Sequence, residues 1–282
     1  METGDLDAIL AAARRFVRDR VLPLETQIEE TDAIPDAIRE AARAMGLFGF
    51  ALPEAHGGLG LGMVEEVRLV FELGYTTPAL RSMFGTNNGI AGHVLLLGGT
   101  DQQQKEWLPR IASGEAIASF ALTEPEAGSD PSDLTTTARA DGTDWVLRGT
   151  KRYITNAPLA DLFLVFARTD PEAAGSRGIS AFLVPAGAPG LTVGPRDHKM
   201  GQFGAWTADV ILDDVRVPGD AVIGGDAGLG RGYATAMGCL AHGRIHIAAM
   251  CVGMAERLVD ESVAYAQERK QGGKPIATFQ LV

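Results

Sequence analysis

The sequence predicts an α+β chain of several domains: an N-terminal all-α domain over residues 1–115, a central antiparallel β-barrel or sandwich over 116–222, and the start of a C-terminal helical bundle over 223–282. Three observations predict it. Apolar residues follow helical spacing through the first hundred residues. Short runs rich in Val, Ile, Leu, Phe and Thr, punctuated by Gly, Pro and Asp, follow from about residue 116. An unbroken helical stripe returns after Gly232.

Each part has its own signals. Leu6, Ile9, Leu10, Ala13, Phe16, Val17 and Leu22 recur at helical intervals, and Asp36 reads as the cap of a helix that Gly46 ends. Helical stretches follow over 63–75 and 79–97, and Thr100-Asp101 opens another that stops at Gly114. Strands are predicted over 117–122, 134–140, 144–149, 162–168, 179–184 and 208–213, with Asp141-Gly142-Thr143-Asp144 as a hairpin turn. From Tyr233 to Glu268 no proline interrupts the helical pattern. Such a helix, about 50 Å long at 1.5 Å per residue, needs partners along its whole face. One long helix with none after it reads as an unfinished bundle, so the chain is expected to be a fragment or to associate.

Composition narrows the function classes. The 282 residues are 46% apolar, enough for a sizeable core. Lys and Arg number 25 against 36 Asp and Glu, and the net charge of -11 argues against nucleic acid as a general partner. No run of eighteen apolar residues is present, so no membrane span is expected. The N-terminus lacks the basic and apolar regions of a signal peptide. Cys239 and Cys251 lie roughly 18 Å apart on a straight helix, too far to pair, and both read as buried core residues. Unpaired thiols suit a reducing compartment, here the cytoplasm.

Few candidate sites survive inspection. The five histidines are scattered, and His242 and His246, although four apart on one helical face, lack the HExxH glutamate, so no metal is predicted. The glycine clusters at 57–62 and 224–230 do not open a helix after a strand, and they read as connecting loops rather than dinucleotide loops. The segment Phe120-Ala121-Leu122-Thr123-Glu124-Pro125-Glu126-Ala127-Gly128-Ser129-Asp130 is more informative. A strand enters a loop with free backbone N–H groups and with Thr123 and Ser129 as donors, which suits a flat heteroaromatic ring. Gly149-Thr150-Lys151-Arg152-Tyr153-Ile154-Thr155-Asn156 adds an aromatic ring and a further hydroxyl. Both segments also read as polar turns at strand ends.

These two segments resemble the TEPxAGSD and GxKxWITN motifs of the acyl-CoA dehydrogenase family. The resemblance extends in family order to Lys199-Met200-Gly201, to Asp213-Asp214-Val215-Arg216-Val217-Pro218, to Gly243-Arg244, and to Glu268-Arg269-Lys270-Gln271 with Gly273-Lys274-Pro275-Ile276. It implies FAD held between the β domain and the bundle. Phe120, Ala121, Leu122, Thr123 and Ser129 would line the flavin, with Tyr153, Ile154 and Thr155 in contact with it. Arg269, Gln271 and Gln280 would reach the FAD of a neighbouring subunit in a homo-oligomer, a dimer of dimers. Ser129, His242, Gly243 and Arg244 would meet an acyl-CoA, and electrons would pass to an electron-transfer flavoprotein. Tyr153 stands where the family usually has Trp, and Gly272 where it usually has Phe.

The implied reaction is an α,β-dehydrogenation in fatty acid metabolism: a glutamate takes the α-proton of the thioester and the β-hydrogen leaves as hydride to flavin N5. A minority of members carry that glutamate just before the arginine matched by Arg244. Gly243 stands there, so the base is expected beyond Val282 and no catalytic residue is assigned within the chain. An acyl-CoA oxidase, a flavin monooxygenase, or a non-catalytic subunit of the same fold are the alternatives.

Overall fold

A computed structural model describes residues 3–173 and 175–280. Seven α-helices come first: α1 (Thr3–Arg15), α2 (Glu25–Thr31), α3 (Asp36–Ala44), α4 (Met63–Leu73), α5 (Pro78–Thr86), α6 (Gly92–Gly98) and α7 (Asp101–Ala112). Asp36 is the first residue of α3 rather than its cap, a place taken by Pro35. Thr100 caps α7 as its sequence suggests, with Thr100 Oγ1 accepting from Gln103 N and the Gln103 side chain accepting from Thr100 N.

Helices α5 and α6 are joined by a wider π-type turn over Asn87–Ala91. Two buried asparagines at this turn satisfy backbone groups of other segments. Asn87 donates to Ile111 O and Ala116 O and accepts from Ala118 N; Asn88 donates to Leu47 O and accepts from Ala51 N. The turn is thereby tied to both the helical layer and the first strand, so its position is fixed by unpaired backbone demand.

The β region is one curled seven-stranded sheet: β1 (Ala118–Ala121), β2 (Thr137–Asp141), β3 (Asp144–Thr155), β4 (Leu162–Arg168), β5 (Ile179–Pro185), β6 (Leu191–Arg196) and β7 (Thr207–Pro218). It differs from the purely antiparallel expectation, because β1 runs parallel to β4. The hairpin of β2 and β3 lies between them in sequence, so the chain returns to β1 by a crossover, which produces parallel pairing. Strand β6 has no clean alternation of burial, and the sequence pattern missed it. Strand β4 is buried on both faces. Leu162, Leu164 and Phe166 pack towards the helices, and Phe163, Val165 and Ala167 pack inside the curl.

Helix α8 (Gly232–Glu268) leaves the sheet and crosses the helical layer. Its contact with α4 is close because two glycines face it. A Cβ on Gly253 would lie 2.2 Å from Phe71 O, and one on Gly74 would lie 2.5 Å from Met250 O. The buried residues of α8 end at Gly253, whereas Val252, Leu258, Val259, Val263 and Tyr265 are more than half exposed. Cys251 is exposed too, contrary to the core role read for it, while Cys239 is buried. A short hairpin, β8 (Lys270–Gln271) and β9 (Lys274–Pro275), follows, with Gly272 and Gly273 in its turn at φ +58° and +83°.

Candidate functional site

A cavity of about 370 Å³ opens between the sheet and the helices. Leu122, Thr123, Gly128, Ser129 and Pro131 form one wall, from the end of β1 and the loop after it. Tyr153, Ile154 and Thr155, at the end of β3, form a second. Thr86 and Ile90 from the π-turn region and Met237, Leu240 and Arg244 from α8 close the third, with Phe120 beneath. The volume falls within the roughly 300–1,000 Å³ common for small-molecule sites.

The walls are shaped by local irregularities. Strand β3 pairs with β7 in broken register between Lys151 and Ile154, a bulge at which Tyr153 takes φ +57°. A left-handed tyrosine is uncommon. It turns this ring out of the sheet, where it is 59% exposed and lies under the Arg152 guanidinium at 4.9 Å. Asn156, also left-handed, donates to Thr86 Oγ1 at 2.9 Å and Ser82 O at 3.0 Å, locking this wall to α5. Ser119 Oγ donates to Thr155 O at 2.8 Å, locking it to β1.

The cavity offers the chemistry that a flat conjugated ring requires. Four aliphatic hydroxyls, on Thr86, Thr123, Ser129 and Thr155, are interleaved with Ile90, Leu122, Ile154, Met237 and Leu240 and with the rings of Phe120 and Tyr153. Such a lining holds a ring by its faces and fixes its orientation by its polar edge. Arg244 is the only charged residue in the lining among the described residues, and no carboxylate contributes to it.

Of the residues singled out in the sequence, Phe120, Leu122, Thr123, Ser129, Tyr153, Ile154, Thr155 and Arg244 are brought together here. Ala121 is not. Side chains alternate along β1, and this one packs in the core of the curled sheet. Gly243 lies beside the cavity, buried, where a Cβ would meet Ile90 Cγ1 at 3.3 Å. Arg269, Gln271 and Gln280 are exposed beyond the end of α8 and are not among the residues lining this cavity.

His242 is also placed elsewhere. Its Nε2 lies 2.7 Å from Glu66 Oε2, and Nε2 of His246 lies 2.5 Å from the same oxygen. The ring of His93 stacks on that of His242 at 3.9 Å between centroids. Three histidines that look scattered in sequence therefore meet, because α4, α6 and α8 converge. Glu66, His242 and His246 have the composition of a metal-binding set, with ligand atoms within 4.8 Å of one another. Hydrogen bonding argues for protons instead. Arg81 reaches His246 Nδ1 at 3.4 Å, and a guanidinium can only donate. His246 Nδ1 therefore accepts, and its Nε2 carries the proton given to Glu66, which leaves that nitrogen no lone pair for a metal. The two imidazoles hold the Glu66 carboxyl down to about 2 against the opposing effect of burial. Burial lowers the pKa of His246 and of His93.

The buried charges of the sheet were missed as well. Lys151 and Glu124 form an ion pair at 2.8 Å, with side chains 0% and 3% exposed. Strand β3 carries Asp144, Arg148 and Arg152 beside Lys151 and alternates poorly in burial, so the sequence does not set the buried lysine apart from the strand's other charges.

The comparisons with known proteins agree with this geometry. The acyl-CoA dehydrogenase N-terminal domain family matches residues 3–115, the middle domain family residues 119–215, and the C-terminal domain family residues 230–282. The chain is 37% identical over 280 residues to a 3-(aryl)acrylate reductase of Clostridium sporogenes, covering 99% of this chain and 73% of that protein. It is 38% identical over 256 residues to a subunit of the caffeyl-CoA reductase–Etf complex of Acetobacterium woodii, covering 91% of this chain and 66% of that protein. A glutaryl-CoA dehydrogenase from Mycobacterium smegmatis, solved in complex with FADH2, superposes with a TM-score of 0.90 at 33% identity, covering 100% of this chain and 70% of that one. With all three domain families matched in order around one cleft, the chain belongs to the acyl-CoA dehydrogenase family.

Proposed function

We propose that this chain binds FAD in the cleft and takes part in the α,β-dehydrogenation of an acyl-CoA thioester. The observation that carries the proposal is the convergence of the Thr123–Ser129 loop, the Tyr153–Thr155 strand end and Arg244 on one cavity. Phe120, Leu122 and Ile154 fit a flavin ring by apolar contact, and the Thr123 and Thr155 hydroxyls fit its polar edge. Bound there, FAD supplies the acceptor for the hydride that leaves the β-carbon. Ser129 stands at the rim, where it serves both cofactor and thioester, and the Arg244 guanidinium supplies positive charge next to the reacting carbons.

Loss of the α-proton needs a carboxylate within hydrogen-bond reach of it. The cavity lining, among the described residues, has none. We assign that glutamate to helices packing on the half-exposed apolar face of α8, around Leu258, Val259 and Val263. The same reading places Arg269, Gln271 and Gln280 against the cofactor of a second subunit in a dimer of dimers. The relative from Acetobacterium woodii belongs to an Etf complex, which supports an electron-transfer flavoprotein as the electron acceptor. No helix among the described residues is long and apolar enough to cross a membrane, and the unpaired cysteines support a cytoplasmic setting.

The test is optical. Purified intact protein supplied with FAD is expected to turn yellow and to bleach anaerobically with at least one acyl-CoA from a panel of short, medium, long, branched and aryl chains. Protein that stays colourless at saturating FAD overturns the cofactor assignment. Yellow protein that no acyl-CoA bleaches overturns the substrate class.

A further inference from the structure

The loop carrying Ser129 has a closed neck, and a buried ion pair closes it. Glu124 stands at the start of the loop. Its Oε2 accepts from Thr135 N at 2.6 Å and Thr135 Oγ1 at 2.8 Å, and its Oε1 accepts from Thr136 N at 2.9 Å. The two ends of a segment of about a dozen residues are thereby held by one carboxylate. Lys151 Nζ then donates to Glu124 Oε1 at 2.8 Å and to Leu122 O at 3.2 Å. One residue further along β3, Arg152 N donates to Thr123 O at 2.8 Å. Strand β3 therefore holds the neck of the loop with Lys151 and presents Tyr153 and Thr155 to the cavity that the loop lines.

The surroundings are built for this contact. Gly149, two residues before Lys151, has φ +154°, and a Cβ there would lie 2.4 Å from Thr136 Oγ1, so only glycine lets the loop end approach the strand. Arg168 fixes the outer part of the same loop through Ser132 O and Leu134 O. Lys151 is the only charged side chain hydrogen-bonded to Glu124 among the described residues. A fully buried ammonium that does not itself line the cavity is costly for stability alone, since apolar pairs of similar size do as well or better.

We propose that Lys151 and Glu124 are positioning residues for the cofactor cleft: they clasp the neck of the 124–136 loop onto β3, and so set the spacing between the Thr123–Ser129 wall and the Tyr153–Thr155 wall. The inference rests on the FAD reading for its functional consequence. Neither residue is among those lining the cavity.

The experiment uses the intact protein and three variants: Lys151→Met, Glu124→Gln and the double variant. FAD affinity is read by flavin fluorescence from pH 5.5 to 8, and amide exchange is read over 124–136. Lys151→Met strands a buried carboxylate. Its dissociation constant for FAD is expected to rise at least about tenfold at pH 8, as when the competent loop position falls to a tenth of the population. The loss should shrink as the pH falls to 5.5 and Glu124 takes up a proton. In the double variant no stranded charge remains, so the weakened affinity should not vary with pH, a signature that simple destabilisation does not give. All three variants should exchange faster at Thr135 and Thr136 while β4 and β5 stay protected. Affinity of Lys151→Met within about twofold of the wild type at pH 8, or unchanged exchange at the neck, overturns the clasp. Should Lys151→Met not fold, unchanged neck exchange in Glu124→Gln overturns it equally. Wild-type protein that binds no FAD sinks the cofactor reading instead, and the exchange measurement still decides the clasp.

Discussion

Two clusters among the described residues bury charges of both signs, and each solves the problem differently. In the sheet, Lys151 meets Glu124 directly, and backbone amides of one loop complete the carboxylate's shell. In the helical layer, Arg81 and Glu66 do not touch; the neutral ring of His246 lies between them and uses both nitrogens. The first arrangement joins segments close in sequence, 27 residues apart. The second joins α4, α5 and α8, with 180 residues between Glu66 and His246. The direct pair clamps a loop. The bridged pair spans three helices, where a cation and an anion on separate rigid elements need a linker of imidazole size.

The largest expected effect breaks the bridged pair. Glu66→Ala removes the only carboxylate hydrogen-bonded to His242 or His246 among the described residues and leaves Arg81 buried, with its Nε already unpartnered. Losing one member of a buried ion pair costs about 3–5 kcal/mol. Chemical denaturation should show that loss. A loss below about 1 kcal/mol would mean that Arg81 finds water or another acceptor, and the bridge would then be incidental.

A smaller effect separates the two clusters by pH. Burial holds His246 and His93 below the ordinary imidazole value of 6.5. A depressed folded value means that the unfolded chain binds the proton first on acidification, so stability falls as pH drops below about 6.5. Glu66, held at about 2, adds stability above about 4.5 that is lost on further acidification. Lys151 acts with the same sign in a more alkaline window, because burial lowers it to about 8. Stability therefore rises with pH between about 8 and 10.5, where only the unfolded chain keeps that proton. His93→Phe keeps a stacked ring and removes one titrating group. The stability slope between pH 5 and 6.5 should become shallower, by less than the about 1.4 kcal/mol per pH unit that one full proton contributes. The slope above pH 8 should not change.

The two clusters also show what a sequence can disclose. The cavity walls from β1, its loop and the end of β3 were legible, because Thr123, Ser129, Tyr153 and Thr155 sit in two short local segments that end strands. The α8 wall was legible only at Arg244. His242 follows the same helix, yet a turn of 100° per residue carries it round to Glu66. The His242–His246 spacing was legible on one helical face, but His93 and Glu66 join it only when α6 and α4 pack against α8, the latter through glycine contacts at Gly74 and Gly253. Strand β6 escaped for the reverse reason. It lies at the sheet edge, and an edge strand with one exposed face of mixed residues carries no strong pattern.

The smallest effect tests whether burial, rather than charge, separates these clusters from the rest of the molecule. Arg68 and Asp7 link α4 to α1 at 3.2 Å, as long-range in sequence as many core contacts, but their side chains are 47% and 63% exposed. An exposed pair gains little in water and loses side-chain freedom when it forms. Arg68→Ala should change stability by no more than about 0.5 kcal/mol, and that small change should vanish in high salt. Arg68 leaves α4 only two residues after Glu66, so the same helix supplies both ends of the comparison. If Arg68→Ala costs as much as Glu66→Ala, the attachment of α4 as a whole governs stability, and the buried cluster has no privileged part in it.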